Sequence, residues 1–431
     1  MIIKRDELID FQKVQLDPVG TVYIYKGEMV RVIEPQFRES VEQFMKSKLF
    51  DRLIKEKLLV DTSISEDVDE EGRLILKHKR ITPYTSMEQW SFEMMKETAK
   101  LVLKMNMLCW KHGYELKDCH QANILFDGMH PVWIDFGSIE KRKRISSRAG
   151  WTAHKNFLQY YYYPMKLWSK GYENIMSSFN NFSVKEMKRI LYHLPACIAE
   201  PPRAIKILIK IWAKVIGKNS FREMQKLYSK VDQMKNKEAT TWGAYQDELW
   251  GGGCGRFIHE IEWINNNPDI ESMTEIGANQ GFFSYLVAKQ TQVKKIIATD
   301  YDRKAVDVMY QRLKKENLNC KITPIVMDFV WMPLESLKKY RSDLVVANAL
   351  THHLLLGQGM KLHVLVDQLA ELTEKYLIVE FMEYGLNQRK EDLPKWYTLD
   401  NFLEGVSQRF SVLQVKNTAK GRTMVIGVKK E

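Results

Sequence analysis

The stretch that decides the fold occupies residues 273–302 and reads MTEIGANQGFFSYLVAKQTQVKKIIATDYD. Glu275, Gly277 and Gly281 give it the spacing E-x-G-x-x-x-G, directly after an apolar segment that reads as the end of a strand. A turn that lets a ligand approach the backbone requires residues without a Cβ atom, which the glycines supply. A helix is predicted over Phe283–Ala288, and its N-terminal amide groups would face a ligand at the turn.

Further strand-like segments follow this turn in a regular order. The first of them, Lys295–Thr299, ends at Asp300, about 20 residues after the glycines, where a dinucleotide-binding fold carries its ribose-binding acid. Helical stretches separate the later strands. The strands predicted there are Ile322–Asp328, Asp343–Asn348 and Tyr376–Glu380. This alternation predicts an α/β domain built on a doubly wound parallel sheet.

The acidic first position and the single E-x-G-x-x-x-G turn resemble class I S-adenosylmethionine (SAM) methyltransferases more than NAD enzymes, which carry G-x-G-x-x-G. The resemblance covers residues 239–431, taken as one Rossmann-like domain, and it implies S-adenosyl-L-methionine as the cofactor. By that resemblance Glu275 and Gly277 lie near the SAM amino-acid moiety, Asp300 binds the ribose and Asp328 the adenine amine. The implied cofactor-binding set is Glu275, Gly277, Gly281, Asp300, Asp328 and Asn348. Asp302 is the alternative for the ribose, because a predicted strand end can be misplaced by two residues.

Candidate catalytic residues follow the fourth strand, in Asn348-Ala-Leu-Thr-His352-His353. This is the carboxyl end of the predicted sheet, where substrates enter open α/β folds. If the methyl acceptor is a sugar hydroxyl, His352 or His353 is a candidate general base near neutral pH. A phosphate oxygen is already ionised and needs no base, and a purely structural histidine pair is the other interpretation. Glu380, which ends the fifth strand, is a second catalytic candidate.

Aromatic residues precede the first strand of this domain. Trp242 and Tyr245 are candidate lid residues over SAM by resemblance to methyltransferases, or packing residues of the core. The net charge of +11 favours an acidic partner such as nucleic acid, a phosphorylated sugar or an anionic lipid surface. However, no N/D-P-P-Y/F/W motif follows the fourth strand and no Pro-Cys nucleophile is present. These absences disfavour a nucleic-acid substrate without excluding an RNA methyltransferase.

The front half of the chain mixes strands and helices. A hairpin is predicted over residues 21–33, a helix over 39–57, an acidic loop over 61–71 and a long amphipathic helix over 90–112. This order, with short strands first and helices later, is typical of an α+β domain.

A second motif follows that long helix. Asp118 and Asn123 form D-x-x-x-x-N, and an apolar strand, a turn and I-D-F-G with Asp135 come after it. The series resembles the catalytic loop and metal-binding segment of protein kinases and small-molecule phosphotransferases. By that resemblance Asp118 orients the acceptor hydroxyl, while Asn123 and Asp135 hold Mg²⁺ against the phosphates of ATP. The implied domains are a degenerate N-lobe over 1–95 and a helical C-lobe over 96–235.

The front half also departs from the kinase pattern. Leu116 stands where the H-R-D pattern has its His, and no glycine-rich loop is present. The usual strand Lys corresponds to Arg31, and a planar guanidinium is a poor replacement for a compact ammonium. Glu39 and Glu42 are both open as the helix partner of Arg31. The pattern thus supports a kinase-like fold and leaves open whether the unit phosphorylates an acceptor or is a catalytically dead binding module.

The sequence also indicates the cellular compartment of the protein. We expect a cytoplasmic protein in a reducing environment, because no apolar leader segment follows the first ten residues and the five cysteines form no C-x-x-C pair. A helix predicted over 205–218 carries one lysine stripe, which suits either peripheral association with the inner membrane surface or the wet side of a helical bundle. The basic cluster at 140–148 suits either an anionic acceptor or a solvated loop.

Together the two halves resemble bacterial proteins of surface-polysaccharide and nodulation-type glycolipid pathways, in which a kinase-like module precedes a SAM methyltransferase. That resemblance implies a bifunctional O-methyltransferase acting on a saccharide, a glycolipid or a sugar phosphate. The kinase-like unit would phosphorylate or position this acceptor. The alternatives are a methyltransferase with a pseudokinase binding module and an RNA methyltransferase.

Overall fold

A computed structural model of the chain describes residues 1–11, 17–142, 150–172, 182–193, 220–251, 254–316, 318, 321–386 and 390–430. The helix predicted over 205–218 and most of the basic cluster at 140–148 lie outside the described residues. Within the described ranges, none of the helices combines the length and the hydropathy needed to cross a membrane.

The front half begins with a six-stranded sheet in the order β1-β5-β6-β4-β3-β2. Its strands are β1 (Ile2–Ile3), β2 (Ile9–Asp10), β3 (Gly20–Tyr25), β4 (Glu28–Ile33), β5 (Thr62–Asp69) and β6 (Leu74–His78). The predicted hairpin is confirmed as β3–β4, with Lys26 and Gly27 in the left-handed region at the turn. Two helices follow β4, α1 (Arg38–Met45) and α2 (Lys48–Lys55), where one was predicted. The break arises at Ser47, whose hydroxyl accepts a bond from the Phe50 amide and starts a new helix.

The predicted acidic loop is wrong, since residues 62–69 form β5 between β1 and β6. Two of its acids are accommodated because they pair with cationic groups. Asp67 pairs with the N-terminal amine at 3.1 Å, and Asp69 pairs with Arg73 at 2.6 Å. A polar sequence was therefore compatible with a strand once these partners were supplied by the fold.

A long buried helix, α3 (Phe92–Lys111), joins this sheet to the motif segment. The motif segment consists of two small antiparallel pairs, β7 with β10 and β8 with β9. These strands are β7 (Tyr114–Leu116), β8 (Ile124–Asp127), β9 (His130–Trp133) and β10 (Ile139–Lys141). The described helices after them are α4 (His154–Phe157), α5 (Tyr163–Trp168), α6 (Val184–Tyr192) and α7 (Ser220–Asp232).

The C-terminal half is built on a seven-stranded sheet in the order β13-β12-β11-β14-β15-β17-β16. Its strands are β11 (Ser272–Ile276), β12 (Lys295–Asp300), β13 (Lys321–Val326), β14 (Ser342–Ala347), β15 (Thr373–Met382), β16 (Phe410–Ala419) and β17 (Arg422–Lys429). The first five strands are parallel, and β17 and β16 add an antiparallel hairpin beyond β15. The predicted doubly wound α/β sheet is confirmed, and the closing hairpin was not predicted.

Helices precede and connect these strands and pack against both faces of the sheet. They are α8 (Asp247–Trp250), α9 (Ile258–Asn265), α10 (Phe282–Gln290), α11 (Arg303–Leu313), α12 (Leu334–Leu337), α13 (Leu362–Leu372) and α14 (Leu399–Ser407). Buried aliphatic side chains of β11, β12 and β14 form the central core. The order 3-2-1-4-5 of the parallel strands places a topological switch point at β11 and β14, where such folds open a ligand cleft.

The two halves pack through α11 and the motif segment. The Tyr310 hydroxyl donates to the Met129 carbonyl at 2.9 Å, and its ring meets Phe126 edge to face. The Glu93 amide, in the first turn of α3, donates to the buried Asp307 carboxylate at 2.7 Å. Burial raises the pKa of Asp307 to about 6. Buried polar contacts of this kind fix the register of α11 against α3.

Candidate functional site

The glycine turn lies at the carboxyl end of β11 and leads directly into α10. Gly277 and Gly281 have φ of +72° and +76°, and Asn279 between them has φ +52°. A Cβ on Gly281 would lie 2.6 Å from Met309 Cγ of α11, so the turn is also in close contact with its neighbouring helix. These conformations and this approach explain the glycines of the E-x-G-x-x-x-G pattern.

Glu275 lies beneath the turn rather than open to the cleft. It is only 3% exposed, and its Oε2 accepts from the Ser284 hydroxyl at 2.5 Å and the Ser284 amide at 3.1 Å. Burial raises the pKa of Glu275 to about 8, although the Ser284 bonds oppose that shift. The carboxyl group therefore ties β11 to the first turn of α10 and fixes the turn between them.

Asp300 and Asp302 take different roles at the end of β12. Asp300 accepts from the Asn279 amide at 2.8 Å and from the Asp302 amide at 2.9 Å, which places its carboxylate beside the glycine turn. Burial raises the pKa of Asp300 to about 6. Asp302 instead caps α11 by accepting from the Lys304 and Ala305 amides. Of the two alternatives for the ribose, the geometry favours Asp300. Asp328, after β13, is exposed.

The segment around Trp242 and Gly243, which we call the Trp242 strap, precedes the sheet and is hydrogen-bonded to the glycine turn. The Asn279 side chain donates to the Trp242 carbonyl at 3.0 Å, and the Gln280 side chain donates to the Gly243 carbonyl at 2.7 Å. The Trp242 ring meets the rings of Tyr245 and His353, each at 5.2 Å. Tyr245 is 53% exposed, so it is not a core residue. This position favours the lid interpretation of Trp242 and Tyr245 over core packing.

The predicted catalytic pair lies at the carboxyl end of β14. The His352 and His353 rings are 4.1 Å apart. Burial lowers the pKa of His352 to about 3, with His353 and two arginines adding to the shift, and burial also lowers the pKa of His353. His352 Nδ1 and both side-chain polar atoms of Asn348 are buried without a hydrogen-bond partner among the described residues. Unpartnered buried groups are costly, so these atoms mark a place where a ligand would supply the missing bonds.

Glu380, the other catalytic candidate, is held by two arginines that sequence reasoning did not single out. Its Oε2 accepts from Arg422 at 2.8 Å, from Arg256 at 3.3 Å and from the Ala349 amide at 2.9 Å. Because its carboxylate is committed to these donors and is only 3% exposed, Glu380 is better placed to orient the arginines than to accept a proton from substrate. No sequence spacing links the three charged residues, because they come from separate elements.

The front half contains a separate cavity of about 550 Å³ between the β-sheet and the motif segment. Asp118, Asn123 and Asp135, predicted from the D-x-x-x-x-N and I-D-F-G motifs, all line it. The Asn123 amide donates to Asp118 at 2.9 Å and to Asp135 at 3.2 Å, which holds the two carboxylates together. Burial raises the pKa of Asp135, and the neighbouring Asp118 adds to that shift while Arg31 opposes it. The motif residues are thus brought together as the sequence predicts.

Arg31 also lines this cavity, but its partner differs from either one left open. It pairs with Asp17, a residue that sequence reasoning missed, and its guanidinium lies 3.9 Å from Asp135. Glu39 and Glu42 are bonded instead to Gln43 and Arg38 on the surface of α1. The sequence gives no signal for Asp17, because this residue stands outside any motif. Its pairing with Arg31 depends on how the chain folds.

A Mg²⁺ site in this cavity would depend on mixed oxygen donors. Among the residues that the structure describes, no group of three or more His, Cys, Asp or Glu side chains is arranged to hold a metal ion. A carboxylate and an amide oxygen, which Asp135 and Asn123 supply, are nevertheless hard donors of the kind that Mg²⁺ prefers, with water completing its shell. Asn123 and Asp135 therefore fit a magnesium ion that is bound together with phosphate oxygens, and Asp118 lies beside them where it could face an acceptor hydroxyl.

By its sheet order, the C-terminal unit is a Rossmann-like α/β domain. No family model matches the chain. The chain is similar to the nodulation protein NoeA of Rhizobium meliloti (strain 1021), with 24% identity over 448 residues, which cover 92% of this chain and 91% of that protein. The similarity therefore extends through both halves.

Solved structures similar to the chain match about half of it. Magnesium protoporphyrin IX methyltransferase (ChlM) from Synechocystis PCC 6803 with bound SAM has a TM-score of 0.32 and 12% identity, covering 47% of this chain and 91% of that one. A SAM-dependent methyltransferase from Aquifex aeolicus has a TM-score of 0.34 and 14% identity, covering 44% and 98%. The 16S rRNA methylase ArmA has a TM-score of 0.32 and 14% identity, covering 45% and 100%. These likenesses are low, and the fold of the unit follows from its own sheet order.

Proposed function

We propose that the C-terminal unit is a SAM-dependent methyltransferase. The observation that carries this proposal is the convergence, at the carboxyl edge of β11, β12 and β14, of the positive-φ glycine turn, the Asp300 carboxylate and the unpartnered amide of Asn348. These groups fit SAM, since the turn admits a ligand against the backbone, the acid accepts from a ribose diol, and the amide both donates and accepts.

SAM supplies an electrophilic methyl group on a sulfonium, and the residues of the chain align it with an acceptor. Methyl transfer is an in-line displacement, so alignment is the main contribution of the protein. Asp300 would hold the ribose, and the Trp242 strap would cover the cofactor and exclude water. His352 and His353 are neutral at pH 7, because burial lowers both pKa values. With a pKa of about 3, His352 is suited to accept a hydrogen bond from a hydroxyl and to orient it, which leaves His353 as the better candidate base.

We propose a saccharide, a glycolipid or a sugar phosphate as the methyl acceptor, which makes the protein an O-methyltransferase. Support comes from the end-to-end similarity to a protein named for nodulation and from the histidine pair at the substrate edge. We also expect a cytoplasmic location, with the lysine-striped segment over 205–218 as a candidate contact with the inner membrane surface.

The front unit is proposed to bind Mg²⁺ and ATP in the cavity around Asp118, Asn123 and Asp135, and to phosphorylate or position the acceptor. The observation in favour is that Asn123 bridges the two acids inside a cavity of about 550 Å³, a volume that suits a nucleotide. Arg31 would contact phosphate oxygens only if its pairing with Asp17 were exchanged for them.

Calorimetric titration of the purified chain with SAM tests the main proposal. The wild type should bind SAM, and Asp300→Asn should bind it at least 30-fold more weakly, because an amide nitrogen replaces one of the oxygens that accept from the turn and from a ribose. Glu335→Gln, on the exposed side chain of α12, is the matched control and should bind normally. A wild type that binds neither SAM nor S-adenosylhomocysteine would refute the proposal.

A further inference from the structure

A charged cluster lies beside the histidine pair and is not explained by cofactor binding. Arg256 precedes α9, Glu380 lies near the carboxyl end of β15 and Arg422 begins β17, so three separate elements bring these residues to the carboxyl edge of the sheet. Both arginines are about one-fifth exposed, whereas Glu380 is 3% exposed. The two arginine side chains are therefore partly accessible, whereas their shared counter-ion is buried.

The cluster has more donors than Glu380 can satisfy. A guanidinium carries five N–H donors, and in the described structure each of these arginines bonds Glu380 through one terminal nitrogen. Arg256 Nε is buried without a partner among the described residues. Glu260 and Lys416 belong to the same cluster, so three cations face two carboxylates and an excess of positive charge remains.

Other unpartnered groups belong to the same neighbourhood. Glu260 Oε2 and His352 Nδ1 are buried with no hydrogen-bond partner in the part of the chain that the structure describes. The charges of Arg256 and Arg422 lower the pKa of His352, which places all three within electrostatic range. A ligand that donates hydroxyl groups to both Glu260 and His352 and presents an anion to the arginines would satisfy all of these atoms.

We infer that Arg256 and Arg422, preorganised by Glu380, form a subsite for an anionic group on the methyl acceptor, so that the acceptor is a sugar phosphate or a uronate rather than a neutral sugar. This inference rests on the proposed methyltransferase function. Arginine suits the task because its planar fork binds phosphate and carboxylate through paired hydrogen bonds. Glu380 is then a positioning residue, and the anion fixes which hydroxyl lies beside His352 and His353.

The test titrates the full chain, loaded with S-adenosylhomocysteine, with glucose 1-phosphate, glucuronate, inorganic phosphate and glucose. We expect at least one of the anions to bind and glucose to bind at least tenfold more weakly than it. Arg256→Gln and Arg422→Gln should each weaken anion binding at least tenfold, while SAM affinity changes less than threefold. Arg341→Gln, whose pairing with Glu371 lies at the opposite end of β14, is the matched control and should change neither. Arg256→Lys keeps the charge without the fork and should give an intermediate affinity.

The four ligands distinguish which anionic group, if any, the arginines bind. Preference for glucose 1-phosphate assigns a phosphate to the subsite, and preference for glucuronate assigns a carboxylate. Glucose binding as tightly as the anions, anion binding that is unchanged in both glutamine variants, or no anion binding at 50 mM would overturn the inference. If the wild type fails to bind SAM, the methyltransferase proposal fails instead, and the same titrations without cofactor still decide whether the arginines bind anions.

Discussion

Replacing Glu275 by glutamine separates a structural role from a cofactor-binding role for this acid. The sequence resemblance implies that Glu275 lies near the SAM amino-acid moiety, whereas in the structure its carboxyl group bonds the Ser284 side chain and amide beneath the turn. Glutamine keeps the shape and one acceptor oxygen, and it has no proton to gain or lose. Any pH dependence of stability that comes from Glu275 should therefore disappear in Glu275→Gln.

The sign and size of this effect follow from the pKa. Burial raises the pKa of Glu275 from 4.5 to about 8, so between these values the folded chain keeps a proton that the unfolded chain has released. Stability therefore falls as pH rises through this window, and the contribution is fully lost above pH 8. At about 1.4 kcal/mol per pH unit, the loss is on the order of 5 kcal/mol. The glutamine amide must also be buried, which costs about 1–3 kcal/mol at every pH if it finds no partner.

Hydrogen exchange of peptides from β11 and α10, measured by mass spectrometry at several pH values after correction for intrinsic rates, reports the local stability of this unit. At pH 5 we expect the amides of Glu275→Gln to be less protected from exchange than those of the wild type. This difference should shrink as the pH rises to 9, because only the wild type loses stability over that range. Parallel pH profiles for the two proteins would refute the proton-linkage argument. SAM affinity should change less than threefold, and a loss greater than tenfold would show that Glu275 contacts the cofactor.

Three further predictions concern the strap, the turn and the front cavity. Trp242→Ala should weaken SAM binding about tenfold, mainly through faster dissociation seen by stopped-flow fluorescence, whereas Trp331→Ala, at an 82% exposed side chain, should have no effect. Gly281→Ala should lower the free energy of unfolding of the C-terminal unit by about 1–3 kcal/mol in denaturant titrations, because its φ is +76° and a Cβ would meet α11. Asp118→Ala and Asp135→Ala should abolish any Mg²⁺-dependent ATP turnover, and only Asp135→Ala should abolish nucleotide binding; equal binding in both would contradict the predicted division of roles.

The parallel sheet could be predicted because its information is local. Apolar runs that end on an acid, and glycines at fixed spacing, determine β11, β12 and the turn within about 30 residues. The added hairpin β16–β17 was missed because β17 pairs with β15 at least 40 residues before it, and no local motif marks that pairing. Glu380 was identified from its position at a strand end, but its two arginine partners come from elements 124 and 42 residues away.

The front half shows the same limit in a different form. The spacing of Asp118, Asn123 and Asp135 correctly predicts side chains that meet, since a strand and a turn bring the motif back on itself. Asp17 and the strand β5 were not predictable, because an isolated acid and an acidic segment take their structure from partners elsewhere. Motif spacing thus predicts which residues converge, while the counter-ions that tune them come from the fold.

The two proposed sites are joined by one helix. Helix α11 is capped by Asp302, whose amide donates to Asp300 beside the glycine turn, and its residues Asp307 and Tyr310 contact the front half. Asp307 accepts from the first turn of α3, the helix that leads to the Asp118 motif. A displacement of α11 on cofactor binding would therefore displace α3 as well, because the buried contacts between the two helices do not deform easily. We expect cofactor binding to slow hydrogen exchange at the amide of Glu93 as well as at the amide of Asn279 in the turn. Both amides donate to acids that are linked through α11, Glu93 to Asp307 and Asn279 to Asp300.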